Sequence, residues 1–205
     1  MSRRRLLGTI GAVVGATGIA MMVPALTALI YREYGDAFQI AAAGLTTIAA
    51  GTVAWRYGRA ERRAALTARE GFVIVGMSWI AMTFFGTLPY IFTGEIVNLT
   101  DAFFETAAGY STTGASIVPD PGELPKGILL WRALTQWMGG MGIIVLSVAI
   151  LPLLGVGGVE LARAESPGPT PDRLTPRFRE TAKRLWLVYI GFTVAEALLL
   201  WAGDM

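Results

Sequence analysis

The segment Tyr110-Ser111-Thr112-Thr113-Gly114-Ala115-Ser116 is small, polar and carbonyl-rich, and it lies between two long apolar stretches. A short apolar run, Ala102 to Ala108, leads directly into it and is too short to cross a bilayer. Backbone that is neither helix nor barrel is tolerated at membrane depth only where protein buries it or where it lines a watery cavity. A half-length helix followed by Thr-Thr-Gly therefore predicts a loop that dips into the membrane and aims carbonyl oxygens at a dehydrated cation. Upstream, Asn98 or Thr100 can cap that helix, with Asp101 and Glu105 near its positive end. The helix is expected over about 100–109, stopping at Gly109. Unpaired carbonyls at its carboxyl end then point at Thr112 and Thr113 with partial negative charge.

The rest of the chain supplies the membrane. Of 205 residues, 54% are hydrophobic, and mean hydropathy is positive. Five runs approach or exceed the roughly 18–20 residues that span a bilayer: about 6–31, 37–55, 71–93, 127–154 and 185–203. Charge alternates between their connections. Arg3, Arg4 and Arg5 mark the amino end. Arg32 stands against Glu33 and Asp36 in the first connection; Arg56, Arg59, Arg62, Arg63 and Arg69 mark the second. The third holds Glu95, Asp101, Glu105, Asp120 and Glu123 against Lys126, and the fourth carries Arg163, Arg173, Arg177, Arg179, Lys183 and Arg184. Basic connections stay in the cytoplasm, so the amino terminus and every second connection are placed there. A cleaved signal peptide is the competing reading of the first run, but Arg32-Glu33-Tyr34 follows it in place of a small-residue cleavage site.

With no cysteine and no histidine, the chain lacks disulfides, thiolate metal sites and the commonest general base. No paired-acid motif in a plausible cleft stands in for them, so the sequence reads as a non-enzyme without a cofactor.

Residues 1–58 are expected to form a transmembrane hairpin in which Pro24 loosens the first helix and Gly35-Asp36 supplies the turn. Gly44, Thr46, Thr47 and Gly51 permit close helix packing. Residues 59–70 form a basic cytoplasmic link, read as an ordinary loop in preference to an interfacial helix. Residues 71–154 hold an outer helix, the pore helix, the filter at 111–116 and an inner helix. Residues 155–184 form a cytoplasmic loop, and 185–205 a further spanning helix carrying Glu196. Asn98-Leu99-Thr100 matches a glycosylation sequon, which a cap explains equally well.

Three stretches carry a family resemblance. The first is Ala102-Phe103-Phe104-Glu105-Thr106 running into Ser111-Thr112-Thr113-Gly114-Ala115-Ser116. The second is Trp131-Arg132 with Gln136-Trp137-Met138-Gly139-Gly140-Met141-Gly142-Ile143. The third is Ala164-Glu165-Ser166-Pro167-Gly168-Pro169 with Thr181-Ala182-Lys183. In this order they resemble the Trk/Ktr/HKT superfamily of potassium uptake proteins, its TrkH/TrkG branch in particular. The resemblance implies an all-α integral membrane fold of four non-identical helix–pore loop–helix repeats around one pore, preceded by a transmembrane hairpin. It also implies a homodimer, gated by a cytoplasmic nucleotide-binding ring, in the inner membrane. Measured against that pattern, the chain holds the hairpin, one complete repeat and the first helix of a second, and reads as truncated there.

Thr112, Thr113, Gly114 and Ala115 are the candidate potassium-facing residues. Glu105 is a candidate acid of the pore mouth, or alternatively a stabiliser of the helix amino terminus. Gly139, Gly140 and Gly142 are either a flexible point beneath the filter or a packing surface, the second being preferred. Arg132 is expected to reach toward headgroups. One repeat supplies one quarter of a carbonyl cage, so the expected function is that of a potassium-transport subunit that does not conduct alone. Its partners are lipid and the remaining repeats of its subunit, with potassium as transported ion and no nucleic acid. The rival is a non-conducting assembly protein derived from a pore subunit.

Overall fold

The computed structural model describes residues 3–58, 68–150 and 174–203. The basic residues at 59–67 and the Ala164–Pro169 motif lie outside them. Every regular element among the described residues is helical. By packing, the chain falls into two units, Met1–Gly140 and Met141–Met205.

In the first unit, α1 (Arg3–Ala20) and α2 (Met22–Ile30) form one membrane-length rod broken at Met21. Pro24 cannot donate the bond that Ala20 would accept, which loosens the turn where the break falls. The following turn is not Gly35-Asp36, as expected, because Gly35 and Asp36 already lie in α3 (Tyr34–Gly58). The chain reverses at Tyr31–Glu33 instead. Arg32 adopts a left-handed φ of 65°, its N–H donates to Leu29 O at 3.1 Å, and Glu33 N–H donates to Ala28 O at 2.8 Å. These two bonds close α2 in a Schellman motif.

α3 returns antiparallel to α1 along a glycine seam. Gly44, Gly51 and Gly58 meet Gly18, Gly11 with Gly15, and Gly8 in turn. A Cβ on Gly51 would sit 2.7 Å from Gly11 O, so any larger side chain drives the helices apart. The seven-residue spacing of the α3 glycines keeps one face toward α1, as in a coiled coil, and small residues allow the contact that dispersion needs in lipid. Arg4 lies 5.2 Å over the Tyr57 ring at the far end of the seam.

α4 (Ala68–Gly86) and α5 (Leu88–Thr93) make the next membrane-length rod. The expected single helix over 71–93 is interrupted at Thr87, two residues before Pro89, for the same reason as at Met21. Gly94, with φ of 80°, ends it. α6 (Leu99–Tyr110), a 3-10 turn at Pro121–Glu123 and α7 (Lys126–Ile150) follow. The buried core gathers Met21, Ala28, Ile40, Tyr90, Ala102, Ile128 and Trp131, so α2, α3, α5, α6 and α7 all contribute.

The second unit holds the end of α7 and α8 (Leu174–Ala202). The helix starts about ten residues before the apolar run. Its basic segment continues the same helix, as the Glu180–Arg184 pair at 2.7 Å records. Its 29 residues reach about 44 Å, longer than the roughly 30 Å hydrocarbon core, so the helix is long enough to cross it.

Candidate functional site

The site is built by α6. Asn98 caps it, its side chain accepting from Thr100 N–H at 2.9 Å, and Asp101 sits in the first turn where the helix dipole favours an acid. Twelve residues give about 18 Å, too little to cross a bilayer. Ala102, Glu105, Thr106, Ala108, Gly109 and Tyr110 are buried, so the helix is sunk in protein and not laid on its surface.

Its carboxyl end meets α4 and α7 partway along their lengths. Tyr110 makes an edge-to-face contact with Trp79 of α4, centroids 6.5 Å apart. A Cβ on Gly139 would lie 2.7 Å from the Tyr110 carbonyl carbon. Gly139 is the fourteenth residue of α7, about 20 Å along that helix from Lys126. The loop after Tyr110 therefore starts level with the middle of α7. Gly139 is a point of backbone contact; Gly140 and Gly142 continue α7 and are half-buried.

The end of α6 differs from the expected row of unpaired carbonyls. Thr112 takes a left-handed φ of 55°, its N–H donates to Gly109 O at 2.9 Å, and Thr113 N–H donates to Ala108 O at 3.1 Å. Ser111 N–H donates to Ala107 O at 2.9 Å. This second Schellman closure occupies one lone pair on each of those oxygens. Past it the chain is irregular from Thr113 to Asp120, and Ser111 through Ile117 are exposed. Gly114 is left-handed at φ of 75°. Thr112, Thr113, Gly114 and Ala115 thus form an exposed strip at the end of a buried helix.

Glu105 is not an open acid. It is 2% exposed and engaged on both oxygens. Oε1 accepts from Arg132 Nε at 2.5 Å, Ser116 Oγ donates to both oxygens at 3.1 Å, and Ile117 N–H donates to Oε2 at 3.0 Å. Arg132, expected among headgroups, is instead drawn inward to this pair with its side chain 16% exposed, because a buried carboxylate needs a countercharge. Trp131 beside it is fully buried and donates from Nε1 to Gly86 O at 3.0 Å, at the break above α5. A residue the sequence did not point to is Glu33. Its carboxylate accepts from Lys126 N–H at 2.9 Å and Gly127 N–H at 3.1 Å, capping α7 from 93 residues away. No local pattern announces that pairing.

The short helix, the irregular turn after it and the two helices that flank them all lie within the match to one known family model. The model for TrkH, a cation transport protein, matches residues 36–203. The chain belongs to the TrkH family. Across its full length it is 45% identical to the Trk system potassium uptake protein TrkH of Escherichia coli K12, and it spans 42% of that protein. It is 38% identical to TrkG of the same organism over 87% of the chain and 37% of that protein. The crystal structure of the potassium transporter TrkH from Vibrio parahaemolyticus superposes with a TM-score of 0.83 at 36% identity, covering 100% of this chain and 40% of that one. The TrkH-type architecture expected from the sequence, a hairpin followed by a pore repeat and a further helix, is the architecture found. As in that family, the chain is a multi-pass membrane protein.

Proposed function

We propose that this chain supplies the amino-terminal quarter of a potassium-selective pore, with Thr112, Thr113, Gly114 and Ala115 turned toward the ion. The observation that carries this is an exposed, left-handed, carbonyl-bearing turn held beside the middle of α7, about 20 Å along that helix from its start, by a helix too short to span. In this reading the exposure of 111–117 is the pore-facing side, and movement of potassium is passive, down its gradient. Selectivity requires oxygens from all sides of the ion, so three further loops complete the cage. The remaining repeats of the subunit supply them and pack against α8, none of whose most apolar window is buried. The proposal extends to the family arrangement: an inner-membrane homodimer with a cytoplasmic amino terminus and a nucleotide-binding gating ring.

The test joins this chain to the part of the E. coli relative that it does not match and scores growth at low potassium in cells without potassium uptake. The joined form is expected to rescue growth and the chain alone to fail. The single filter strip favours that second outcome and keeps a non-conducting assembly role open for the isolated chain. Rescue by the chain alone would overturn the quarter-pore reading; no rescue by either form would favour the assembly role.

A further inference from the structure

We propose that Glu105 and Arg132 form a latch that holds the outgoing limb of the deep loop and thereby sets which alkali cation the Thr112–Ala115 oxygens accept. This rests on the pore reading above and adds a positioning residue pair to it.

Glu105 lies in the second turn of α6, too far along to stabilise the helix amino terminus. A buried carboxylate is costly unless paired and hydrogen-bonded. Here two of its three donors, Ser116 Oγ and Ile117 N–H, come from the residues directly after the filter strip, and the third is the Arg132 guanidinium from α7. Ser116 Oγ in turn accepts from Val118 N–H at 3.1 Å, so the limb is tied over three consecutive residues.

The other end of the strip is fixed by the Schellman bonds of Thr112 and Thr113. Only Gly114 and Ala115 lie between the two anchors. Their carbonyl positions follow from where the anchors stand. Whether discrimination arises from cage size or from carbonyl field, a shifted anchor changes both. The pair is charge-neutral and its carboxylate is spent on protein donors, so Glu105 positions the loop and does not ligate the ion. The arginine also ties the loop to α7, the helix that reaches Tyr110 through Gly139.

Two measurements test the latch. The chain has no cysteine, so a spin label on Ala115→Cys reports the strip alone in the purified chain in lipid. Glu105→Gln and Arg132→Gln are expected to increase its mobility, while a label on Val97→Cys in the α5–α6 loop stays unchanged. In the joined form, the same two variants are expected to raise the sodium-to-potassium uptake ratio about tenfold, the scale of one lost charge-assisted bond. Arg132→Lys should recover part of that loss because it keeps the charge. Ser116→Ala, the mildest change, should shift the ratio about threefold with normal membrane abundance. Unchanged mobility at residue 115 in Glu105→Gln overturns the latch, as does an unchanged ion ratio in Ser116→Ala and Arg132→Gln. A parent joined form that transports no potassium strikes the pore reading instead, and the label then decides the latch.

Discussion

At Gly114 the backbone is left-handed, yet a Cβ there would meet nothing within 4 Å. At Gly139 the reverse holds: φ is helical and a Cβ would strike the Tyr110 backbone. The two glycines therefore fail differently. Gly114→Ala costs about 1–2 kcal/mol of backbone strain without a clash, so normal membrane abundance with impaired potassium preference is expected in the joined form. Gly139→Ala sets backbone against a methyl group that neither helix can yield to, and costs about 3 kcal/mol. Thermal denaturation of the purified chain should separate them, with Gly139→Ala melting clearly lower. A larger loss of stability at Gly114 than at Gly139 would reverse this assignment. Thr112 shows what a sequence reading misses at this scale. Its place in the Thr-Thr-Gly run suggests a residue turned toward the ion, but the same residue closes α6 with a left-handed turn usually given to glycine.

Elements are joined here by side chains that cap one another. Glu33 closes α2 through its backbone and holds the start of α7 through its carboxylate. Beside it, Gly127 is so close to α2 and α3 that a Cβ would lie 2.7 Å from Ala28 Cβ. The amino-terminal hairpin is thus a brace for the inner helix of the repeat, not a detachable anchor. Glu33→Ala removes a charged cap from two helix N–H groups and is expected to cost about 1–2 kcal/mol. Hydrogen exchange at Lys126 and Gly127 should rise in that variant, with exchange in the α1–α3 seam unchanged. Equal protection at the start of α7 would show that packing alone holds it. The same two proline-linked breaks, at Met21 and Thr87, were half legible: each proline announces a disturbance, but only the second break is used, its Gly86 carbonyl receiving Trp131.

For the whole molecule, charge sets the expected topology. The arginines at 3–5, 56–69 and 163–184 should lie on one side of the membrane and the acidic 94–126 connection on the other. A cysteine at Val97, itself exposed, should react with an impermeant maleimide in intact cells. One at Ala65 should react only after permeabilisation. Labelling of both in intact cells would refute the assigned sidedness. The chain spans 42% of the length of the E. coli relative, which is why conduction is tested in the joined form.

Membrane character, the short helix before Thr112 and the family followed from the sequence, because hydrocarbon thickness and the need to satisfy backbone groups in lipid admit few arrangements of long apolar runs. The Gly44 and Gly51 packing was legible for a similar reason, small residues being what membrane helices need to touch. Tertiary structure alone decided the partners of Glu105, Arg132 and Glu33. Each charge has several stable uses when seen in one dimension, as a cap, a mouth acid or a headgroup contact. Which use wins depends on donors 11 to 94 residues away that only folding brings within hydrogen-bonding reach.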